Sequence, residues 1–342
     1  ELLSKEYEKT NKNKKQYDEI LTQLTTSDAA VAKYLKKTHN TKEDVDGIFT
    51  TDWDLLKHAR IIKQSYGFGF DSVEALMKDL KTGLKAFNER LDYKLNIGFD
   101  GRKIVGDNPN DFKDRSYGNG DVRAKNGRTH GTHVSGIIAA NRNNGIGMNG
   151  VANNVKIMAI RNTPSGDEYD KDVALGVYYA VDNGAKVINM SFGKAFSPHS
   201  DWVRDAIAYA AEKDVLIVAA AGNDGKDTDQ INYFPNDQIN NGTEVSDTFL
   251  KVGSNGPRYG STLAASYSNY GKNTVDVFAP GSQIYSTYPK NTYEFASGTS
   301  MASPLVAGVA ALIFSQYPNL SAAQVKQILM ASGIVINKKV SL

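Results

Sequence analysis

The sequence predicts an α/β fold: a three-layer, doubly wound parallel sheet with a helical insertion on its N-terminal side. Three observations predict it. From His130 onward, short apolar runs alternate with helical periodicities, the pattern of parallel strands joined by crossover helices. One run, Val215 to Ala220, is wholly apolar, as expected of a strand buried on both faces. Before residue 95 the chain is instead helical and heavily charged.

In the first part, residues 1–95, Tyr17, Ile20, Leu21 and Leu24 recur at helical spacing. Ser27-Asp28 reads as a cap, after which Val31, Tyr34 and Leu35 carry the apolar face of a second helix. A third helix is predicted from about Trp53 to Tyr66, stopped by Gly67. Asp71 with Glu74 three residues later resembles a capping box, opening a long helix through Leu76, Leu80, Leu84 and Phe87. These helices fit a small bundle or a lid, their charged faces solvated.

Residues 96–342 form the second part. Positions 96–129 are rich in Gly, Asn and Asp and read as extended loop. A small-residue helix continues through Gly136 to Ala140, and Val155 to Ile160 reads as a strand. Asp170 to Asn183 is a helix with Val173, Val177, Ala180 and Val181 facing inward, stopped by Gly184. Lys186 to Met190 is a strand, Trp202 to Lys213 a helix, and Val215 to Ala220 the buried strand. Strands follow at Phe249 to Gly253 and Val275 to Phe278, then a buried helix over Leu305 to Phe314. Ligands of such sheets bind beyond the carboxyl ends of the strands. The segments there are Ser191-Phe192-Gly193 and Ala221-Gly222-Asn223.

Composition excludes several classes of function. With 342 residues and a net charge of +2, the chain has room for a large core but no basic surplus for nucleic acid. It has 0 cysteines, so disulfides, thiolate metal sites and cysteine nucleophiles are excluded. No apolar stretch reads as a membrane span, and residues 1–20 are not signal-like. The chain starts at Glu1 and is expected to be a fragment of a longer protein.

Ser300 lies in Gly298-Thr299-Ser300-Met301-Ala302-Ser303-Pro304, at the door of the buried helix. Unsatisfied N–H groups and the positive dipole end there favour an oxyanion. Pro304 fits a helix's first turn. By itself Ser300 reads equally as an N-cap or a nucleophile. A nucleophilic serine needs a base, and the chain has 5 histidines. His130 and His133 lie in His130-Gly131-Thr132-His133-Val134-Ser135-Gly136. His130 at the helix start is the exposed candidate, and His133, one turn inside, is the packing or hydrogen-bonding one. Their spacing lacks the glutamate of an HExxH zinc site, and no metal ligands are assigned. Asn223, ending a buried strand in Ala219-Ala220-Ala221-Gly222-Asn223, offers a side-chain amide as an oxyanion donor, or else simply a turn.

His130-Gly-Thr-His-Val, Ala-Ala-Ala-Gly-Asn223 and Gly-Thr-Ser300-Met-Ala-Ser-Pro, in that order, resemble the subtilisin-like serine proteases, or subtilases, over roughly residues 125–332. The resemblance implies a serine endopeptidase of the peptidase S8 type, with Ser300 as nucleophile and His130 as general base and acid. Asn223 and the Ser300 N–H would then hold the oxyanion. It further implies a protein or peptide substrate lying along Ser191, Phe192 and Gly193, with Ala219, Ala220, Ala221 and Gly222 bordering the pocket for the side chain before the scissile bond. Gly166 resembles the opposing substrate strand. The chemistry requires no cofactor. Structural calcium is common in the family, and the loop with Asp100, Asp107, Asp111, Asp114 and Asp121 is the acidic place for it. An extracellular or periplasmic place of work is implied too.

One family motif is missing. The triad aspartate should end an apolar strand upstream of His130 and be followed by Ser/Thr-Gly. The nearest imitation is Leu95-Asn96-Ile97-Gly98-Phe99-Asp100-Gly101, with Val45-Asp46-Gly47 weaker still. The preferred expectation places the aspartate before Glu1, with residues 1–95 inserted between the aspartate and histidine blocks; Asp100 is the lesser alternative. Without a proper aspartate the chain is expected to be weakly active or inactive. The rival expectation is a non-catalytic peptide-binding relative. An α/β-hydrolase esterase ranks last, since position 302 is Ala and no histidine follows Ser300.

Overall fold

The chain divides into two units, residues 1–103 with 165–167 and residues 104–164 with 168–342, and the regular elements among the described residues of the first are all helices. The computed structural model describes residues 2–66, 72–123, 128–163, 168–239 and 242–336. In the first unit, α1 (Leu2–Leu35), α2 (Lys42–Asp46), α3 (Trp53–Tyr66) and α4 (Val73–Glu89) enclose a core that includes Leu24, Val31, Ile62, Val73 and Leu80. The break predicted at Ser27-Asp28 does not occur, and α1 runs through it. Ser27 is buried, and its hydroxyl hydrogen-bonds the His58 ring at 3.0 Å instead of capping a helix. Thr25 and Thr26 bond back to the carbonyls one turn earlier, so the polar run stays helical. Gly67 and Asp71 lie outside the described residues; Ser72 caps α4 by accepting from the Ala75 N–H.

The predicted loop 96–129 runs from the first unit into the second and holds, among its described residues, one short helix, α5 (Arg102–Val105); α6 (His130–Ala139) follows. Then come α7 (Asp170–Asp182), β1 (Val187–Met190), α8 (Ser200–Glu212), β2 (Leu216–Ala220), β3 (Phe249–Asn255) and β4 (Val277–Pro280). The four strands pair in parallel in the order β1-β2-β3-β4. A hairpin, β5 (Ile284–Tyr288) and β6 (Thr292–Ala296), leads to α9 (Thr299–Gln316) and α10 (Ala322–Ala331).

Helices cover both faces of the sheet. Val173, Val177 and Ile207 of α7 and α8 pack on Ile217 and Ala219. Ala302, Val306 and Ala310 of α9, with Val325 of α10, pack on Leu216, Val218 and Val252. The period-2 alternation of β2 therefore feeds two cores, which is why the run is apolar at every position. Burying each of Leu216, Ile217 and Val218 contributes about 1.5–3 kcal/mol. α9 is long and apolar enough to cross a membrane by composition, though 50% of that stretch is buried here. It is a core helix of this unit.

Val155 to Ile160 forms no strand and pairs with no described strand, contrary to expectation. Its apolar residues find no strand to pair with, and Ile157 and Met158 stay 44% and 40% exposed. The hairpin was not foreseen. It turns through Pro289-Lys290-Asn291, a three-residue loop whose last two residues have positive φ (65° and 57°).

Candidate active site

β1 and β2 end side by side, Met190 in register with Ala219. Beyond them come Ser191-Phe192-Gly193 and Ala221-Gly222-Asn223, and α9 starts against both. Gly298 precedes the helix at φ +154°, a conformation L side chains rarely adopt.

Thr299 ties the helix start to the β2 end. Its N–H and its hydroxyl both donate to Asn223 Oδ1, at 2.9 and 3.0 Å. The same hydroxyl accepts from the Gly222 N–H at 3.1 Å. With its oxygen so engaged, Asn223 presents its amide NH₂ from an exposed position. Buried Asn269 shapes the turn beneath: Nδ2 donates to the Ala221 carbonyl, and Oδ1 accepts from the Asp224 and Lys226 N–H groups.

Ser300 is half-buried, the second residue of α9. Its hydroxyl donates to the Ser191 carbonyl at 3.1 Å, and Ser191 Oγ donates to the Ser300 carbonyl at 2.9 Å. Pro304 is the sixth residue of the helix, not in its first turn as expected. It brings no N–H to the carbonyl four residues back, and Ser191 serves that carbonyl instead. Ser303 Oγ is bonded to Asn189 Oδ1 at 2.7 Å, so α9 is pinned to β1 at two levels.

His130 is exposed as the first residue of α6. Loss of hydration at its ring, and then neighbouring His133, hold its pKa below the ordinary histidine value. His133 is buried and Nε2 meets the Glu294 carbonyl at 3.0 Å. A carbonyl only accepts, so that nitrogen carries the proton. The hairpin fixes α6: Ser286 Oγ donates to the His133 carbonyl and Thr287 Oγ1 to the Thr132 carbonyl, both at 2.8 Å. Gly136 makes the close approach feasible, since a β-carbon there would lie 2.0 Å from Thr287 Oγ1.

Ser300, Asn223, Ser191, Phe192 and Gly193 thus come from the ends of adjacent elements, while Ala219, Ala220, Ala221 and Gly222 are buried beside them. Phe192 packs on the α7–α8 core. Gly166 lies outside the described residues. Asp100 belongs to the first unit, is exposed, and accepts from the Arg102 N–H at 3.0 Å as a local turn. Among the described residues, no carboxylate hydrogen-bonds the His130 ring. The sequence reading missed Thr299, Asn269 and the hairpin, although the Lys290-Asn291 turn between alternating residues carried a signal for the last.

Several carboxylates of the acidic loop have protein partners. Asp107 pairs with fully buried Lys171 at 2.6 Å, and Lys171 also donates to the Asn108 carbonyl and faces the Tyr117 ring at 4.5 Å. Asp121 pairs with Arg123, and Asp111 caps the Lys113 N–H. Among the described residues, no three acidic or histidine side chains converge on a metal position.

Comparison with known proteins identifies the family. The family model Peptidase S8, subtilase family, matches residues 69–338. The chain is 41% identical over 221 residues to a thermophilic serine proteinase of Bacillus sp. (strain AK1), covering 64% of this chain and 49% of that protein. It is 41% identical over 225 residues to subtilisin DY of Bacillus licheniformis, covering 64% and 75%. The chain thus spans about half to three quarters of these relatives. Among solved structures, a protease of Pseudoalteromonas arctica PAMC 21717 superimposes with a TM-score of 0.54 at 33% identity, over 64% of this chain and 68% of the other. A cold-adapted subtilisin-like serine proteinase gives 0.51 at 33% identity, over 63% and 75%.

Proposed function

The chain belongs to the subtilase family, and from that premise we propose that it is a serine endopeptidase acting through an acyl-enzyme on Ser300. His130 takes the hydroxyl proton as Ser300 Oγ attacks the peptide carbonyl, then returns it to the leaving amine. The Asn223 amide and the Ser300 N–H stabilise the oxyanion. Asn223 is the observation that carries this reading. Its oxygen is fixed by Thr299, so its donor side is aimed before any substrate arrives. The substrate would run along Ser191–Gly193 on one side and Ala219–Gly222 on the other, pairing by its backbone. No cofactor takes part in this chemistry. Work outside the cytoplasm goes with the reading; one relative is named a cell wall-associated protease.

Turnover is proposed to be slow, because no described carboxylate orients His130; losing that partner costs about 10⁴ in rate in the general serine-protease scheme. A second reading, a peptide-binding module without turnover, is favoured by the Ser300 hydroxyl being bonded to the Ser191 carbonyl. Fluorophosphonate labelling separates the two. An adduct mapped to Ser300, lost in Ser300→Ala and weakened in His130→Ala, supports the peptidase. A folded chain that takes no label supports the binding module.

A further inference from the structure

We infer that Ser286 and Thr287 of β5 are positioning residues for His130: their hydroxyls fix the first turn of α6 where the His130 ring can serve Ser300. This rests on the endopeptidase reading above. His130 is the first residue of α6, so its ring travels with that turn. Ser300 is the second residue of α9, and its hydroxyl is bonded to the Ser191 carbonyl. Base and nucleophile are thus carried by two helices, and whatever joins those helices sets the gap between them.

The β5–β6 hairpin is such a join. Toward α6, Thr287 Oγ1 donates to the Thr132 carbonyl and Ser286 Oγ to the His133 carbonyl, both at 2.8 Å. His133 Nε2 adds its bond to the Glu294 carbonyl, so α6 is tied to both strands. Toward α9, the Gly281 carbonyl accepts from the Gly298 N–H at 2.8 Å. Ser297 Oγ accepts from the Gln283 N–H, also at 2.8 Å. Ile284 and Ala296 of the hairpin pack against Val134, Ile137 and Met301, from α6 and α9.

The two hydroxyls are not needed to complete α6. In an α-helix the carbonyls of Thr132 and His133 already accept from the N–H groups four residues on, at Gly136 and Ile137. Ser286 is nonetheless wholly buried against them. Only glycine at 136 leaves it room: a β-carbon there would lie 2.0 Å from Thr287 Oγ1 and 2.5 Å from Ser286 Oγ. Bonds that add little to the helix but fix where it lies act as alignment. Alignment matters here, because a misplacement of about 1 Å in a reacting group costs about 10² in rate.

The test is the double substitution Ser286→Ala with Thr287→Val in the full chain, assayed on a peptide p-nitroanilide. We expect kcat to fall about tenfold to a hundredfold, with KM and the urea midpoint little changed. Thr287→Ser, which keeps the hydroxyl, should keep the wild-type kcat. Placed on His130→Ala, the same pair should cost nothing further, because it acts through that histidine. The rate of fluorophosphonate labelling at Ser300 gives the same comparison where hydrolysis is too slow to follow. Thr287→Val alone, close to isosteric, carries the test if the pair fails to fold. A folded variant with unchanged kcat, a loss confined to KM, or an equal loss on His130→Ala overturns the positioning role, while a Ser300 adduct leaves the peptidase standing. A wild type with neither hydrolysis nor adduct overturns the endopeptidase reading, and this inference with it.

Discussion

Ser191 and Ser300 exchange two hydrogen bonds, each hydroxyl donating to the other's carbonyl. The exchange follows from Pro304, which denies the Ser300 carbonyl its helical donor. Ser191→Ala is therefore expected to leave that carbonyl unserved beside a buried strand end. The loss should be about 1–3 kcal/mol of stability. It would appear as a lower urea midpoint with an unchanged m-value. Stability equal to wild type would mean that another group serves the carbonyl.

Asn223 and Thr299 make a separable pair. Asn223→Leu removes the side-chain oxyanion donor and is expected to lower kcat by about 10²–10³, the size such a deletion has in subtilisin itself, with KM little changed. Thr299→Val keeps the shape but leaves only the Thr299 main-chain N–H to hold the Asn223 oxygen. A loss of about tenfold in kcat, near the worth of one hydrogen bond, is expected. A rise in KM alone, with kcat intact, would place Asn223 in ground-state binding.

His130 should reveal its surroundings in the pH profile. Loss of hydration at the ring, and then neighbouring His133, hold its pKa down. The basic form therefore persists to lower pH, and kcat/KM should fall on acidification with a midpoint below the ordinary value of about 6.5. A midpoint at or above that value would show that a carboxylate reaches the ring. His133→Gln removes the second of these causes and should move the acid-limb midpoint up toward the ordinary value.

How much of this was legible in the sequence differs from element to element. Ser300, Asn223 and the β2 strand could be read because each is a local signal: a small-residue helix start, a turn after an apolar run, and an unbroken apolar run. Thr299 and Asn269 could not. Their worth lies in bonds to residues 76 and 48 positions away. Ser27 was misread because a serine that caps and a serine that bonds a distant histidine look alike in one dimension. Val155–Ile160 has strand composition, yet strand identity belongs to a pair, and no described strand pairs with it. The aspartate partner of His130 stays an expectation, since Asp100 is spent on a local turn.

The buried cluster of Asp237, Lys251 and Asp276 makes stability depend on pH in a way that can be assigned. Burial, then repulsion from Glu244, pushes the Asp237 carboxyl up to about 7, against the opposing pull of Lys326 and Lys251. Burial pushes Lys251 down to about 8, with Asp237 and Asp276 pulling it back. Asp276 also accepts from the Lys251 N–H at 2.7 Å and faces Lys326 at 3.5 Å. Between its ordinary value of 3.8 and about 7, Asp237 binds a proton in the folded state that the unfolded chain has released. Its contribution therefore falls as pH rises through that window, and the cost is complete above it. Lys251 acts in a higher window: folded, it sheds its proton from about 8, whereas unfolded it holds on to about 10.5, so its contribution rises with pH there. Asp237→Asn should remove the lower limb alone. In guanidinium unfolding at pH 5, 6, 7 and 8, the difference between variant and wild type should move steadily in the variant's favour up to about pH 7 and then level off. Parallel curves across that range would show that Asp237 titrates alike folded and unfolded, and that the cluster is not under electrostatic strain.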